Sequence, residues 1–354
     1  MPIGLDDVVA AETALSDVDG LAGRLIIRGR SLDDLAGRET AESMLSLLLA
    51  GAFDAVPTAA ELGAARAEIF SRFKAKLGDL GTLPVYDGVR AAIAQLPDDD
   101  STHTALLLIA APAVLVPALL RTQRGKAVVE PDAGAAHSAD ILHMLLGRVP
   151  AVPEVNGLDT YLVTVADHGL NASTFAARVV ASTQAGLNSA VLAAYGALKG
   201  PLHGGAPGPV LDMIDQVGTP ERAEPVLRSI LDRGERLMGF GHRIYRVRDP
   251  RADALKAALS RLQRTERLNL ALAVETAALK LLRTKKPDRP LETNVEFFTA
   301  LLLDALGFPR DVFTAVFAMG RTTGWIAHAR EQALSGRLIR PKSHYIGPMP
   351  REAA

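Results

Sequence analysis

The sequence contains no cysteine, and its positive and negative charges nearly cancel. The missing thiols exclude disulfides, a cysteine nucleophile, and zinc or iron–sulfur sites with cysteine ligands. With 39 Lys and Arg against 40 Asp and Glu, the net charge is −1, so no bulk basic field favours nucleic acid or an anionic membrane. Any anion site must therefore be local.

We expect neither a targeting signal nor a membrane span. Asp6 and Asp7 stand near the start, where a secretory signal carries basic residues. The most apolar stretch, residues 104–120, contains Pro112 and Pro117, which would disrupt backbone hydrogen bonding in lipid. We interpret this stretch as a pair of buried helices, and we expect a cytoplasmic protein.

Strand patterns are scarce, whereas helical periodicity runs through most of the chain. The segments predicted as helices are 38–52, 59–77, 172–199, 222–239, 251–264, 268–283, 295–306 and 312–334. One apolar strand, residues 24–28, can pair with residues 14–17 as a hairpin. No βαβ alternation is present, so the predicted fold is all-α.

Two breaks rich in glycine and proline indicate domain boundaries. Residues 200–209 hold four glycines and three prolines, which end one helix and permit close backbone approach. Gly307 and Pro309 form the second break. We predict a large domain from residues 1–205 and 307–354, with a smaller domain, residues 206–306, inserted between its two parts.

Two segments carry side chains suited to catalysis, and each also has a structural interpretation. His203 precedes two glycines that would let a ligand reach its imidazole, although an isolated histidine is more often structural. Glu296 follows Thr293 at the spacing of a capping box, yet Val295 and Phe297 would desolvate its carboxylate and make it a stronger base. The residues alone leave both interpretations open.

A third segment, residues 239–251, combines two glycines and His242 with four arginines. It is either a solvated basic loop or a site where guanidinium groups bind carboxylates or phosphates. Asp249 is the predicted N-cap of a helix, because the proline after it suits the first helical position. Asn171 predicts another helix start, just after His168.

The sequence contains no motif for metal, nucleotide or serine-nucleophile chemistry. It has no His pair at i,i+4 spacing, no Walker sequence and no Gly-x-Ser-x-Gly elbow. Arg321, Trp325 and His328 share one helix face, a spacing that is usual for packing. We therefore predict no metal site.

In their order along the chain, these segments resemble the citrate synthase family. The segments that carry the resemblance are 4–13, 23–29, 167–173, 200–205, 239–243, 249–251, 294–297, 320–325 and 340–341. Each is weak alone, but their conjunction in this order is specific. The resemblance implies an all-helical homodimer whose small mobile domain closes over substrate. It also implies condensation of acetyl-CoA with oxaloacetate, then hydrolysis of the citryl thioester, with no cofactor because acetyl-CoA is a substrate.

The matching motif positions imply a role for each candidate residue. His203 would hydrogen-bond the thioester carbonyl, Glu296 would remove the methyl proton, and His242 would protonate the ketone of oxaloacetate. The residues implied to bind oxaloacetate are His168, Arg251, Arg321 and Arg340, the last donated by the partner subunit. The residues implied to lie near CoA are Leu237, Gly239, Phe240, Gly241, Arg246 and Lys286.

Two positions depart from the family pattern. Most members have Asp where this chain has Glu296, and the added methylene moves the carboxylate by roughly 1.5 Å. Pro207 stands where Asn is usual. These departures leave open a non-catalytic protein that binds oxaloacetate or CoA. A 2-methylcitrate synthase, which uses propionyl-CoA, is also open because one methylene in an apolar pocket is worth only about 1–3 kcal/mol.

Overall fold

The computed structural model describes residue 5 and residues 8–203, 207–242, 244–245, 247–262, 266–287 and 291–349. The helices of this part of the chain are α1 (Leu32–Leu35), α2 (Ala41–Leu49), α3 (Ala59–Phe73), α4 (Leu77–Leu80), α5 (Val85–Ile93), α6 (Thr102–Gln123), α7 (His137–Leu146), α8 (Val152–Val165), α9 (Ala172–Ala181), α10 (Leu187–Leu198), α11 (Pro207–Val217), α12 (Ala223–Asp232), α13 (Pro250–Arg261), α14 (Glu266–Lys285), α15 (Val295–Ala305) and α16 (Phe313–Ser335). The strands are β1 (Ser16–Asp19), β2 (Arg24–Ile27) and β3 (Arg30–Ser31). The predicted all-α fold is confirmed.

Helix α6 is the centre of the core. It is apolar and long enough to cross a membrane, but 94% of its most apolar window is buried inside the fold. It packs against α3, α5, α7 and α16. The prediction of two helices here is wrong, because Pro112 and Pro117 both lie inside one continuous helix. Surrounding helices, rather than local propensity, hold this segment in one piece.

Two other predicted helices are also corrected. Residues 172–199 form α9 and α10 rather than one helix, because Gly186 breaks the run at φ +96°. The predicted helix over 222–239 ends at Asp232, and Gly234 follows it at φ +78°. In both places a glycine supplies a backbone conformation that a helix cannot continue through.

The predicted N-terminal hairpin is present, with its first strand at residues 16–19 rather than 14–17, and it gains a third strand. Ser16 pairs with Ile27 and Asp19 with Arg24 in an antiparallel register, and β3 adds to the other edge of β2. Leu25 and Ile27 are fully buried, so one face of the hairpin belongs to the core. The sheet is small, but it lies beside the loops that carry the candidate site.

Helix α15 links the helices in the middle of the chain. Helices α11, α12 and α14 pack on one another, α13 packs on α8, and both α11 and α13 pack on α15. The predicted N-caps of α13 and α9 are confirmed: Asp249 accepts the Arg251 N–H, and Asn171 accepts those of Ser173 and Thr174. Helix α13 is therefore the element that carries Arg251 toward α8 and the loop after it.

Candidate active site

The loop before His242 is paired with the segment that leads into α15. Phe240 and Thr293 form an isolated antiparallel bridge, and the Asn294 N–H donates to the Gly239 carbonyl at 3.0 Å. Two stretches separated by some fifty residues are thereby held side by side. The pairing places the loop of His242 next to the first turn of α15.

Glycine is required at two positions of this loop. At Gly239, with φ +85°, a Cβ atom would lie 2.9 Å from Cβ of Phe297. At Gly241, with φ +83°, it would lie 2.8 Å from Cδ2 of Leu291. Both the conformation and the space exclude a side chain. Packing thus accounts for two glycines that the resemblance places near CoA, and their contact with CoA stays a prediction.

Glu296 stands in the first turn of α15, with its carboxylate free of the helix cap. The N-cap is Asn294, whose side chain accepts the Glu296 N–H at 3.0 Å. The capping-box interpretation is wrong, because the Thr293 hydroxyl instead donates to Glu275 at 2.8 Å. Within the described part of the chain, no hydrogen-bond donor reaches the Glu296 carboxylate. Burial raises the pKa of Glu296 to about 7 against the opposing charge of Arg251.

His242 and Arg251 point two donors at one place. The Nδ1 atom of His242 accepts the N–H groups of Ile244 at 3.1 Å and Tyr245 at 3.0 Å. Burial lowers the pKa of His242 to about 4, so the neutral ring carries its proton on Nε2. Nη2 of Arg251 lies 3.1 Å from that Nε2. Two facing donors with no acceptor between them, among the residues described, form a site for an anionic or carbonyl oxygen.

Arg251 is held in place by the residue that caps its own helix. The Asp249 carboxylate accepts from Arg251 Nε at 3.0 Å and from Nη2 at 2.8 Å. It also accepts the Val295 N–H at 3.1 Å, which ties α13 to α15. Burial alone would lower the pKa of Arg251, but Asp249 outweighs it and the pKa is raised. Arg251 is therefore a fixed, charged group.

His168 meets this group from the opposite side. It lies in the turn between α8 and α9, with its ring centroid 5.7 Å from that of His242. The Tyr245 ring contacts both imidazoles, and its hydroxyl lies 3.2 Å from His168 Nε2. Burial and the nearby charge of Arg251 hold the pKa of His168 well below its usual range, so the ring is neutral.

Arg321, on α16, is the second buried cation of the site. Its Nε donates to the Val165 carbonyl, and its guanidinium stacks 4.9 Å from the ring centroid of Phe317. Burial lowers the pKa of Arg321 to about 10, Asp167 opposes this shift, and Arg251 adds to it. Arg321 remains a cation at neutral pH. Two arginines that repel each other in a buried space favour an anionic ligand between them.

A buried chain of polar groups stands behind His168. Asp167 Oδ2 lies 3.2 Å from His328 Nε2, and His328 Nδ1 lies 2.9 Å from Arg178 Nη1. A guanidinium cannot accept a hydrogen bond, so His328 accepts at Nδ1 and donates from Nε2 to Asp167. Arg178 also pairs with Glu331 at 2.6 Å and with Gln332 at 2.9 Å. This chain fixes the residue next to His168.

His203 belongs to a separate cluster that includes Trp325. His203 Nε2 lies 2.8 Å from Ser173 Oγ, which also accepts the Trp325 indole N–H at 3.1 Å. The one hydroxyl proton of Ser173 has Asn171 Oδ1 and His203 Nε2 in reach. When Ser173 donates this proton to His203 Nε2, the imidazole carries its own proton on Nδ1. Burial, then the charge of Arg321, lowers the pKa of His203 to about 4.

Among the described residues, no hydrogen bond or ion pair joins Arg340, Lys286 or Leu237 to the site. Arg340 and Lys286 are exposed, and Leu237 is buried in the core. Arg246 lies outside the described residues. Among the residues that the structure describes, no group of three or more histidine or carboxylate side chains could hold a metal ion.

Sequence reasoning missed several residues of the site. Tyr245 lies within the basic segment, but its residue type gives no signal of a role there. Asp167 and Ser173 stand inside a motif that assigns a role only to His168. The spacing of His328 predicts packing, although the helix face it shares with Arg321 is the face turned toward the site. That i, i+7 spacing of two polar residues is the signal that could have identified it.

Comparison with known proteins gives a consistent result. The family model described as citrate synthase, C-terminal domain, matches residues 4–342. A 2-methylcitrate synthase of Mycobacterium tuberculosis is 38% identical, covering 97% of this chain and 90% of its own. A citrate synthase of Haloferax volcanii is 37% identical, covering 97% and 95%.

A solved structure with the same fold contains ligands. It is the ternary complex of a Thermoplasma acidophilum citrate synthase with carboxymethyl coenzyme A and oxaloacetate. Its TM-score to this chain is 0.85 at 27% sequence identity, and the match covers 99% of this chain and 97% of that one.

Proposed function

Because the chain belongs to the citrate synthase family and is a transferase of that type, we propose that it condenses an acyl-CoA with oxaloacetate and hydrolyses the product thioester. One observation supports this most strongly. The Nε2–H of His242 and the guanidinium of Arg251 converge at 3.1 Å, facing His168 and beside a carboxylate that no described donor reaches. Such a site suits a small keto dicarboxylate next to a carbon acid.

We propose that His168, Arg251 and Arg321 bind the two carboxylates of oxaloacetate, and that Arg340 of the partner subunit in a homodimer adds a fourth group. Guanidinium groups bind carboxylates through two parallel hydrogen bonds, which orients the ligand as well as holding it. The ketone oxygen would then lie at His242 Nε2. Fixed orientation of this kind lowers the entropic cost of the bimolecular step.

Glu296 would remove a proton from the carbon next to the thioester carbonyl. That carbon is a very weak acid, so the developing negative charge on the thioester oxygen needs a donor at the same time. His203 Nδ1–H is the proposed donor, with its tautomer set by Ser173. The resulting enol attacks the ketone carbon, a carbon–carbon bond forms, and His242 gives its Nε2 proton to the ketone oxygen.

Water then cleaves the thioester, and the products are the free tricarboxylate and CoA. We place CoA along residues 237–241, with Lys286 and Arg246 near its phosphates. Closure of a small domain, residues 206–306, would exclude bulk water before the carbon–carbon bond forms. No cofactor takes part in this scheme, because CoA enters as part of the acyl-CoA substrate. We assign the reaction to the cytoplasm, as part of the tricarboxylic acid cycle when the substrate is acetyl-CoA.

The choice between acetyl-CoA and propionyl-CoA is open, since relatives of both kinds are about equally similar, at 38% and 37% identity. No observation favours a protein that binds these ligands without catalysis. The test is a thiol-release assay with oxaloacetate and each thioester. We expect release only when both substrates are present, and the ratio of kcat/KM values assigns the acyl group. Absence of release with both thioesters would refute the proposal.

A further inference from the structure

The N-terminal hairpin touches the loop of His168. The hydroxyl of Ser16 in β1 accepts the Gly169 N–H at 3.0 Å. Gly169 has φ +61°, and a Cβ atom there would lie 3.7 Å from the side chain of Val18. One strand of the hairpin thus supports the residue that directly follows His168.

The turn of the same hairpin touches the loop of His242. A Cβ atom on Gly20 would lie 2.8 Å from the carbonyl carbon of Ile244, which is closer than real contacts allow. A Cβ atom on Gly23 would lie 2.6 Å from Cγ2 of Val247. Both glycines of the turn are therefore packed directly against the stretch that flanks Tyr245.

The turn is rigid enough to act as a support. The Asp19 carboxylate accepts the N–H groups of Leu21 at 3.1 Å and Ala22 at 2.9 Å, which fixes the turn conformation. Leu25 and Ile27 anchor β2 in the core, since neither has measurable exposure. A displacement at the contact is thus expected to move the facing loop rather than the hairpin.

Tyr245 conveys the position of that loop to both imidazoles. Its N–H binds His242 Nδ1 at 3.0 Å, and its hydroxyl lies 3.2 Å from His168 Nε2. A shift of Ile244 and Tyr245 therefore changes the direction of one ring and the contact of the other. The hairpin reaches His168 by a second route, through Ser16 and Gly169.

We propose that the turn formed by residues 19–23 positions the residues that bind oxaloacetate. The turn sets the distance between His168 and His242. This inference rests on the proposed function for the ligand, but its structural content is independent of it. The turn touches no reacting atom and acts only through residues 244–245 and Gly169. It accounts for the packing of two glycines, Gly20 and Gly23, to which the sequence resemblance gives no role.

The test is Gly20→Ala. Gly20 is outside the left-handed region, so alanine adds bulk without backbone strain. We expect kcat to fall about 10- to 100-fold, because a misplacement of about 1 Å can cost about a hundredfold. The Kd for oxaloacetate, measured by calorimetry, should rise at least about fivefold. The rise in Tm caused by oxaloacetate should shrink accordingly, a change that a purely structural role would not produce.

The matched control is Gly78→Ala. Gly78 has ordinary φ, and an added methyl group would meet nothing within 4 Å, so kcat and Kd should stay at wild-type values. Because Gly78 lies in α4, Tm should stay the same or rise slightly. If Gly20→Ala does not fold, Asp19→Ala loosens the same turn without adding bulk, and we expect the same changes at smaller size. A folded Gly20→Ala protein with wild-type kcat and Kd would overturn the inference.

Imidazole NMR separates this inference from the proposed function. In the substrate-free protein, Gly20→Ala should shift the ring resonances of His168 and His242 and leave that of the exposed His103 unchanged. If wild-type protein neither binds nor turns over oxaloacetate, the proposed function fails, and the ring shifts alone decide whether the turn positions the histidines. Unchanged ring resonances would refute the positioning role.

Discussion

The two sides of the candidate site are built in different ways. The side formed by the α8–α9 turn and α16 is buried, and the chain Asp167–His328–Arg178 supports it with charge-assisted hydrogen bonds. The side formed by residues 239–251 and α15 is a loop held by glycine packing, and it contains a carboxylate, Glu296, to which no described residue donates. Both sides hold a fixed cation, Arg321 on the first and Arg251 on the second, but only the second also carries a carboxylate suited to change protonation during a reaction.

The largest expected effect concerns the carboxylate of Glu296. Glu296→Gln removes the proposed base and keeps the shape of the side chain, so we expect turnover to fall by about 10³-fold or more. Oxaloacetate affinity should stay within about threefold, and stability should not fall, because the carboxylate accepts no hydrogen bond from the described residues. Turnover is measured by thiol release and affinity by calorimetry. Undiminished turnover would show that Glu296 is not the base.

The supported side is expected to respond in stability instead. Arg178→Met removes the donor to His328 and Glu331, and we expect the free energy of unfolding to fall by about 2–3 kcal/mol, below the full cost of an unpaired buried charge because Glu331 is partly exposed. Urea denaturation measures this change. The control Arg228→Met breaks an exposed pair with Glu224 and should leave stability unchanged. Equal effects of both variants would remove the contrast between the two sides.

A smaller effect on turnover is expected at His203, which shares the hydroxyl of Ser173 with Trp325. Ser173→Ala removes the hydroxyl that we propose sets the tautomer of His203, and we expect kcat to fall about tenfold, a typical share of one positioned donor. Ser173→Thr keeps the hydroxyl and should restore part of the rate. A rate in Ser173→Ala equal to wild type would show that the tautomer of His203 is set elsewhere.

The smallest effect is a dependence of kcat/KM on pH, which reports the ionisation of the free enzyme. Because burial raises the pKa of Glu296 to about 7, the carboxylate that acts as base is lost as the pH falls through that value. At pH 6 about one molecule in ten has the ionised form, so kcat/KM should be roughly a fifth of its value at pH 7. Thiol release between about pH 5.5 and 8.5 measures this limb. A midpoint near the ordinary value of about 4.5 would mean that Glu296 is solvated in the free enzyme.

The contrast between the two sides also explains what the sequence could predict. Helices with clear periodicity and a capping residue are predicted well, such as α13 with Asp249 at its start. Contacts between distant segments are not: nothing local to Tyr245 indicates that its hydroxyl meets His168, 77 residues earlier. The capping-box error has the same origin. The Thr293 hydroxyl donates to Glu275 of the distant helix α14, and Asn294 is the N-cap instead.

Helix breaks follow the same rule. Gly186 divides α9 from α10, although the apolar periodicity continues across it, because its backbone turns at φ +96° toward a contact with Asp98. Pro112 and Pro117 have the opposite outcome, since α6 stays intact where neighbouring helices enclose it. The local sequence predicts where helices lie. Tertiary contacts decide which glycines and prolines end a helix.

The position of α6 in the chain has a consequence for synthesis on the ribosome. Its apolar surface is covered by α3 and α5, which precede it, and also by α16, which is synthesised after all of them. Until α16 is synthesised, this 22-residue apolar helix lacks one of the helices that cover it. Early packing of α3 and α5 on α6 is therefore expected to limit the exposure of its apolar surface during synthesis.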